Sequence, residues 1–169
     1  MTPITPESTV GEARAFVRSK LREGGTCPCC FQSVKLYNRT LNCGMAHMLI
    51  LIYKEDQLHP GEWIHSSRRF LQDKRNAVAQ EYSKLRFWGL LEPCPAEEED
   101  QNPTGLWRIT VDGKNFVEDR LFVARAAQIY DNKLYGFTPE QTSIRRALGD
   151  KFDYDELMTP PPAQGTLGL

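Results

Sequence analysis

No run of apolar residues in this sequence approaches the roughly 18 needed to cross a bilayer. The longest apolar cluster, Met48–Tyr53, is far too short. The amino-terminal stretch "MTPITPEST" has neither the basic start nor the apolar core of a secretory leader. The expectation is therefore a soluble, intracellular protein placed in the cytoplasm. An excess of one charge is also missing: 21 Lys and Arg stand against 22 Asp and Glu, a net charge of -1. Generic coating of nucleic acid by the whole chain is excluded, and so is a disordered acidic tail-like composition. The three histidines, His47, His59 and His65, are scattered, and no paired carboxylates or glycine-rich phosphate loop accompany them. We therefore expect no enzymatic activity. No internal repeat is visible. A disulfide framework is excluded as well, because the five cysteines are odd in number and three of them, Cys27, Cys29 and Cys30, crowd into four positions.

The chain is rich in helix and turn signals. Thr9 followed by Glu12 forms a capping box, so a helix starts there, with Ala13, Phe16, Val17 and Leu21 at helical spacing and Gly24-Gly25 as its stop. "FQSVKLY" fits a short hairpin. Thr40 or Asn42 then caps a second helix running to about Glu55, with Leu41, Met45, Met48, Leu49 and Ile52 on its apolar side and Cys43 and His47 roughly opposite. After the breaker His59-Pro60-Gly61 come a brief strand "EWIH" and two helical patterns, Ser66 to Asp73 and Asn76 to Trp88. "LLEP" and "LWRIT" read as strands joined by an acidic loop, and Thr110 caps a short helix through Glu118. An Asp131-Asn132 turn marks a hairpin. "TPEQTSIRRALG" predicts a helix with Thr138 as cap, Pro139 at its first position, Gln141 as reciprocal partner and Gly149 as stop. "TPPPAQGTLGL" reads as a flexible tail.

Cys27, Cys30, Cys43 and His47 fall in the spacing C-x2-C-x12-C-x3-H. A tight turn brings two thiolates to one ion, and a helix presents ligands at i and i+4 on one face. Four such ligands close a tetrahedral structural zinc site with no open position for catalysis. The competing reading makes Cys43 a small helix residue and His47 a solvent-facing one, with the thiols packed as small hydrophobes. A redox or nucleophilic role is the third option, without an orienting group in sight. Cys29 competes with Cys30 as a ligand. The segment resembles a Cys2His2-type zinc finger with one ligand exchanged, although Val34 and Thr40 stand where that family carries an aromatic and a leucine.

Residues 62 to 118 resemble a winged-helix DNA-binding domain. "EWIH" matches the first strand, "SSRRFLQDK" and "NAVAQEYSKLRFW" the helix-turn-helix, and "LLEP" with "LWRIT" the wing strands. On the second of those helices Val78, Tyr82, Leu85 and Trp88 should face the core, supported by Leu90 and Ile109. The opposite face presents Asn76, Gln80, Ser83 and Lys84, whose donors and acceptors suit base edges in a major groove. Arg68, Arg69, Lys74 and Arg75 would meet phosphates: His65 to Leu90 holds six Lys or Arg against two acids. Glu92 to Asp100 holds five acids and no bases, so the wing would be kept off the duplex.

The overall order also resembles small bacteriophage-encoded proteins of unassigned function. The expected fold is α+β: an amino-terminal helix and Cys-rich module in residues 1–61, a winged helix-turn-helix in 62–120, a β-hairpin and short helix in 121–158, and the tail in 159–169. The expected function is a prokaryotic or phage-type regulator that binds double-stranded DNA. Its alternative is a non-catalytic adaptor or inhibitor that grips a host protein through its acidic loop. Homodimerisation, for which the first helix offers a surface, stays open, and no membrane partner is expected.

Overall fold

The computed structural model describes residues 3–73, 81–95 and 105–160. It is a mixed α+β chain that divides into two compact units, one built from Met1–Thr40 with Arg125–Glu140, the other from Leu41–Ala124 with Gln141–Leu169. Among the described residues no helix is long and apolar enough to cross a membrane.

The first unit opens with helix α1, Val10–Lys20. Its capping box forms as the sequence predicts: the Glu12 amide donates to the Thr9 hydroxyl, while the Glu12 carboxylate accepts from the Thr9 amide at 2.7 Å. Strands β1 (Gly25–Thr26) and β2 (Ser33–Val34) form a small hairpin that carries Cys27, Cys29 and Cys30 at its tip. Strand β3 (Tyr37–Thr40) pairs antiparallel with β7 (Ala126–Tyr130), which pairs with β8 (Lys133–Phe137). Asp131 and Asn132 both take positive φ, 48° and 56°, as the tight turn of this hairpin demands.

The second unit is organised by helix α2, Cys43–Leu58, capped by Asn42 through a 2.9 Å bond from the Met45 amide. Apolar periodicity predicts one buried side. In fact Met45, Ala46, Met48, Leu49, Ile50 and Ile52 are all sealed, because α3 (Ser66–Phe70), a 3-10 helix (Tyr82–Trp88), β5 (Trp107–Ile109), α4 (Val111–Val117) and α5 (Ile144–Leu148) all pack on α2. A helix enclosed from several directions is apolar nearly all round.

Strand β4 (Leu91–Pro93) pairs antiparallel with β5, and Ile64 bridges Trp107 on the other side of β5. Thr110 caps α4 as predicted, accepting from the Gly113 amide. Strands β6 (Val123–Ala124) and β9 (Gln141–Thr142) pair, and α6 (Tyr154–Met158) follows α5.

Two local expectations are corrected. Thr138 does not cap a helix; its hydroxyl and amide bond the backbone of Ala126 and hold the end of the β7–β8 hairpin, while Ser143 caps α5. Tyr82–Trp88 winds as a 3-10 helix instead of the α-helix expected through Trp88. The reason lies in the spacing, since Tyr82, Leu85 and Trp88 recur every third residue and all three are buried along one edge of a three-residue turn. Gly89, at φ 68°, stops it in the left-handed conformation.

Candidate nucleic-acid interface

The surface to which the sequence points is built by α3 and the 3-10 helix. His65 caps α3: its Nδ1 accepts from the Arg68 amide at 3.4 Å and lies 3.1 Å from the Ser67 hydroxyl. That role favours the tautomer with its proton on Nε2. Arg68 and Arg69 project from the same helix and are both exposed. Arg69 is tethered at 3.3 Å to Glu55 on α2. Of the remaining residues expected to contact DNA, Ser83 and Lys84 lie half-buried on the 3-10 helix, with Lys84 ion-paired to Glu81 one turn back. Lys74, Arg75, Asn76 and Gln80 lie outside the described residues, as does Val78. Tyr82, Leu85, Trp88, Leu90 and Ile109 are buried, where the apolar pattern puts them.

Beside α3 a depression of about 310 Å³ is lined by Glu55, His59, Glu62, Trp63, Ile64, His65, Arg68 and Arg69. The Arg108 guanidinium stacks 4.3 Å from the centre of the Trp63 ring and also binds the Glu92 carboxylate at 2.7 Å. Trp63 is thereby held by a cation over its ring. In the sequence His59 and His65 read only as scattered histidines. The local signal is the density of "HPGEWIH", two imidazoles and an indole within seven residues and one turn short of an arginine pair.

The four residues expected to bind metal fall in different units. Cys27 and Cys30 sit at the tip of the β1–β2 hairpin, whereas Cys43 opens α2 and His47 follows one turn later. His47 is not solvent-facing: it is 9% exposed, and its ring stacks on Phe152 with centroids 4.3 Å apart and planes 15° from parallel. Burial, then the charge of Lys54, holds its pKa below the usual imidazole value. The thiol of Cys27 is held below the usual thiol value chiefly by the amides of Cys30 and Cys29, which donate to its sulfur. Among the described residues no three His, Cys, Asp or Glu side chains form a group that would hold a metal ion.

Compared with family models, curated proteins and solved structures, the chain matches none.

Proposed function

We propose that this chain is a regulatory protein of prokaryotic or phage type that binds duplex DNA through a winged helix, with Arg68 and Arg69 on phosphates. The reading is carried by one observation: β5 is flanked by Ile64 on one side and by β4 on the other, in the order helix, bridge, helix, helical turn, strand, strand. That order supports the reading as a winged helix, a scaffold in which the helix before the recognition segment crosses the phosphate backbone. Under this reading α3, which carries the arginine pair, is that helix. The Trp63 depression alongside offers a flat apolar surface next to cationic groups.

Fluorescence anisotropy of a labelled mixed-sequence duplex against salt tests the proposal. Affinity should fall steeply with salt, and replacing both Arg68 and Arg69 by Ala should weaken binding to all sequences and flatten the log–log salt slope by about 2. A salt-independent signal, or an unchanged slope in the double variant, overturns it.

A second reading, a protein-binding adaptor, is favoured by a different observation: Tyr37, Leu134 and Phe137 are exposed on the β3–β7–β8 sheet, where register places Tyr37 and Leu134 either side of Ile129. Under that reading Leu134→Ser with Phe137→Ser abolishes partner capture and leaves DNA behaviour unchanged. The acidic residues Glu97, Glu98 and Glu99 of the adaptor reading lie outside the described residues.

A further inference from the structure

Strand β3 forms one edge of the β3–β7–β8 sheet, and every one of its residues is exposed. Charged side chains commonly blunt such an edge. Here they gather around one ring. The Lys35 ammonium nitrogen lies 5.4 Å from the centre of the Tyr37 ring and the Arg39 Cζ 5.9 Å from it, while Tyr37 stays 42% exposed. Arg39 stands two residues beyond Tyr37, so the alternation of the strand puts both on one face.

Asn38, between them, belongs to the other face, in register with Gln128 on β7. A cavity of about 330 Å³ is lined there by Arg22, Lys35, Asn38 and Gln128, with Glu23 at its rim. Gln128 is in turn in register with Gly136 on β8, where a Cβ would come within 3.3 Å of Gln128 Oε1; the glycine leaves room for the carboxamide. Lys35 serves both places, since it lines the cavity and reaches the Tyr37 ring. Glu23 is met by Lys20 at 3.1 Å. Arg22, Lys35 and Arg39 are exposed, and among the described residues no carboxylate pairs with any of them.

Three cations without acidic partners along one edge attract a polyanion. An exposed ring beside two of them selects a polyanion with flat bases free to stack, which a duplex keeps inside its own stack. Two carboxamides, each donor and acceptor, match base edges and the ribose 2′-hydroxyl, which also donates and accepts. We infer that the β3 edge binds single-stranded RNA. One base stacks on Tyr37, the adjoining phosphates meet Arg22, Lys35 and Arg39, and Asn38 with Gln128 bonds the sugar and base edge of the nucleotide in the cavity. The inference does not rest on the duplex contact proposed for Arg68 and Arg69, which uses other residues.

Fluorescence anisotropy of a short labelled RNA strand of mixed sequence, titrated with the full chain, tests it. RNA should bind more tightly than a DNA strand of the same sequence. Tyr37→Ala should weaken binding about tenfold or more, and Tyr37→Phe, which keeps the stacking face, should retain it. Lys35→Ala with Arg39→Ala should flatten the log–log salt slope by about 1.4. Both cations are exposed, so this variant keeps the test decisive if Tyr37→Ala fails to fold. Arg68→Ala with Arg69→Ala should leave RNA affinity intact, which lets the two readings fail separately. The inference is overturned if the unaltered chain does not bind RNA, if the DNA strand binds equally well, or if affinity follows Arg68 and Arg69 in place of Lys35 and Arg39. A Tyr37-dependent dimer that RNA does not dissociate overturns it too, and assigns the edge to a second copy of the chain.

Discussion

The Lys114 ammonium lies 2.6 Å from the carboxylate of Asp56, which is only 2% exposed and also accepts from the Gly61 amide at 3.1 Å. Asp56 is the acid of α2 that the enclosing elements bury, so α4 has to bring a cation to it. Removing the cation strands a buried charge. Lys114→Ala should destabilise the protein by roughly 2–3 kcal/mol, somewhat below the loss for a wholly buried pair because Lys114 is partly solvated. Asp56→Asn, which keeps an acceptor for Gly61 while removing the charge, should cost less, and combining it with Lys114→Met should recover part of the loss. Urea denaturation of the four chains, wild type included, checks this; equal loss in the Lys114→Ala and double variants would falsify it.

Gly113 has no room for a side chain. A Cβ there would sit 2.2 Å from the Leu90 carbonyl oxygen and 2.7 Å from Ile109 Cγ1, one of them backbone that cannot rotate away. Gly113→Ala should therefore destabilise by about 3 kcal/mol or more despite the better helix propensity of alanine. A midpoint unchanged in thermal unfolding would show that α4 can shift away from Leu90.

The stacking of Phe152 on His47 ties the turn before α6 to α2. Phe152→Leu keeps an apolar cover but removes the planar contact, and should cost about 1 kcal/mol. In the same variant the imidazole loses part of its cover, so its pKa should move back up toward the ordinary value. Proton NMR titration of the His47 ring reads this directly, and an unmoved resonance contradicts the assignment of burial as the cause.

Acid should weaken the fold through two exposed carboxylates. Asp155 is held below the ordinary carboxylate range, chiefly by hydrogen bonds from Arg145, and Glu12 likewise, chiefly by the Thr9 amide. A carboxylate whose folded pKa is depressed stabilises the protein above its unfolded value, and that contribution is lost as pH falls through the folded value. The denaturation midpoint should thus decline below the ordinary carboxylate range, and Asp155→Asn with Glu12→Gln should flatten that decline. An identical pH profile in the double variant rules out these two groups as its source.

Much of this architecture can be read from local chemistry. The capping box at Thr9, the Thr110 cap, the Asp131-Asn132 reversal and the antiparallel pairing of "LLEP" with "LWRIT" are signals contained within a few residues, and each appears in the structure. What stayed hidden was non-local. The polar-looking "YNRT" gives no hint that β3 pairs with β7, because its partner lies beyond the whole Leu41–Ala124 segment of the second unit. Thr138-Pro139 carried a complete helix-start signature, yet the Thr138 hydroxyl found Ala126 across the hairpin, and tertiary pairing overrode the local preference. The Trp63 depression gathers side chains from α2, the following loop and α3, and no spacing rule brings those together.

The interleaving of the two units sets an order of events during synthesis. β3 leaves the ribosome early but meets β7 only after everything from Leu41 to Ala124 has been made, so its backbone groups wait on water or a chaperone in the interval. Loop-closure entropy then opposes the late pairing only modestly if the intervening segment has already condensed and brought its ends near each other. Chains stalled before Arg125 should accordingly expose β3 to proteases, and protection of Tyr37–Thr40 should appear abruptly once the stretch through Phe137 has emerged.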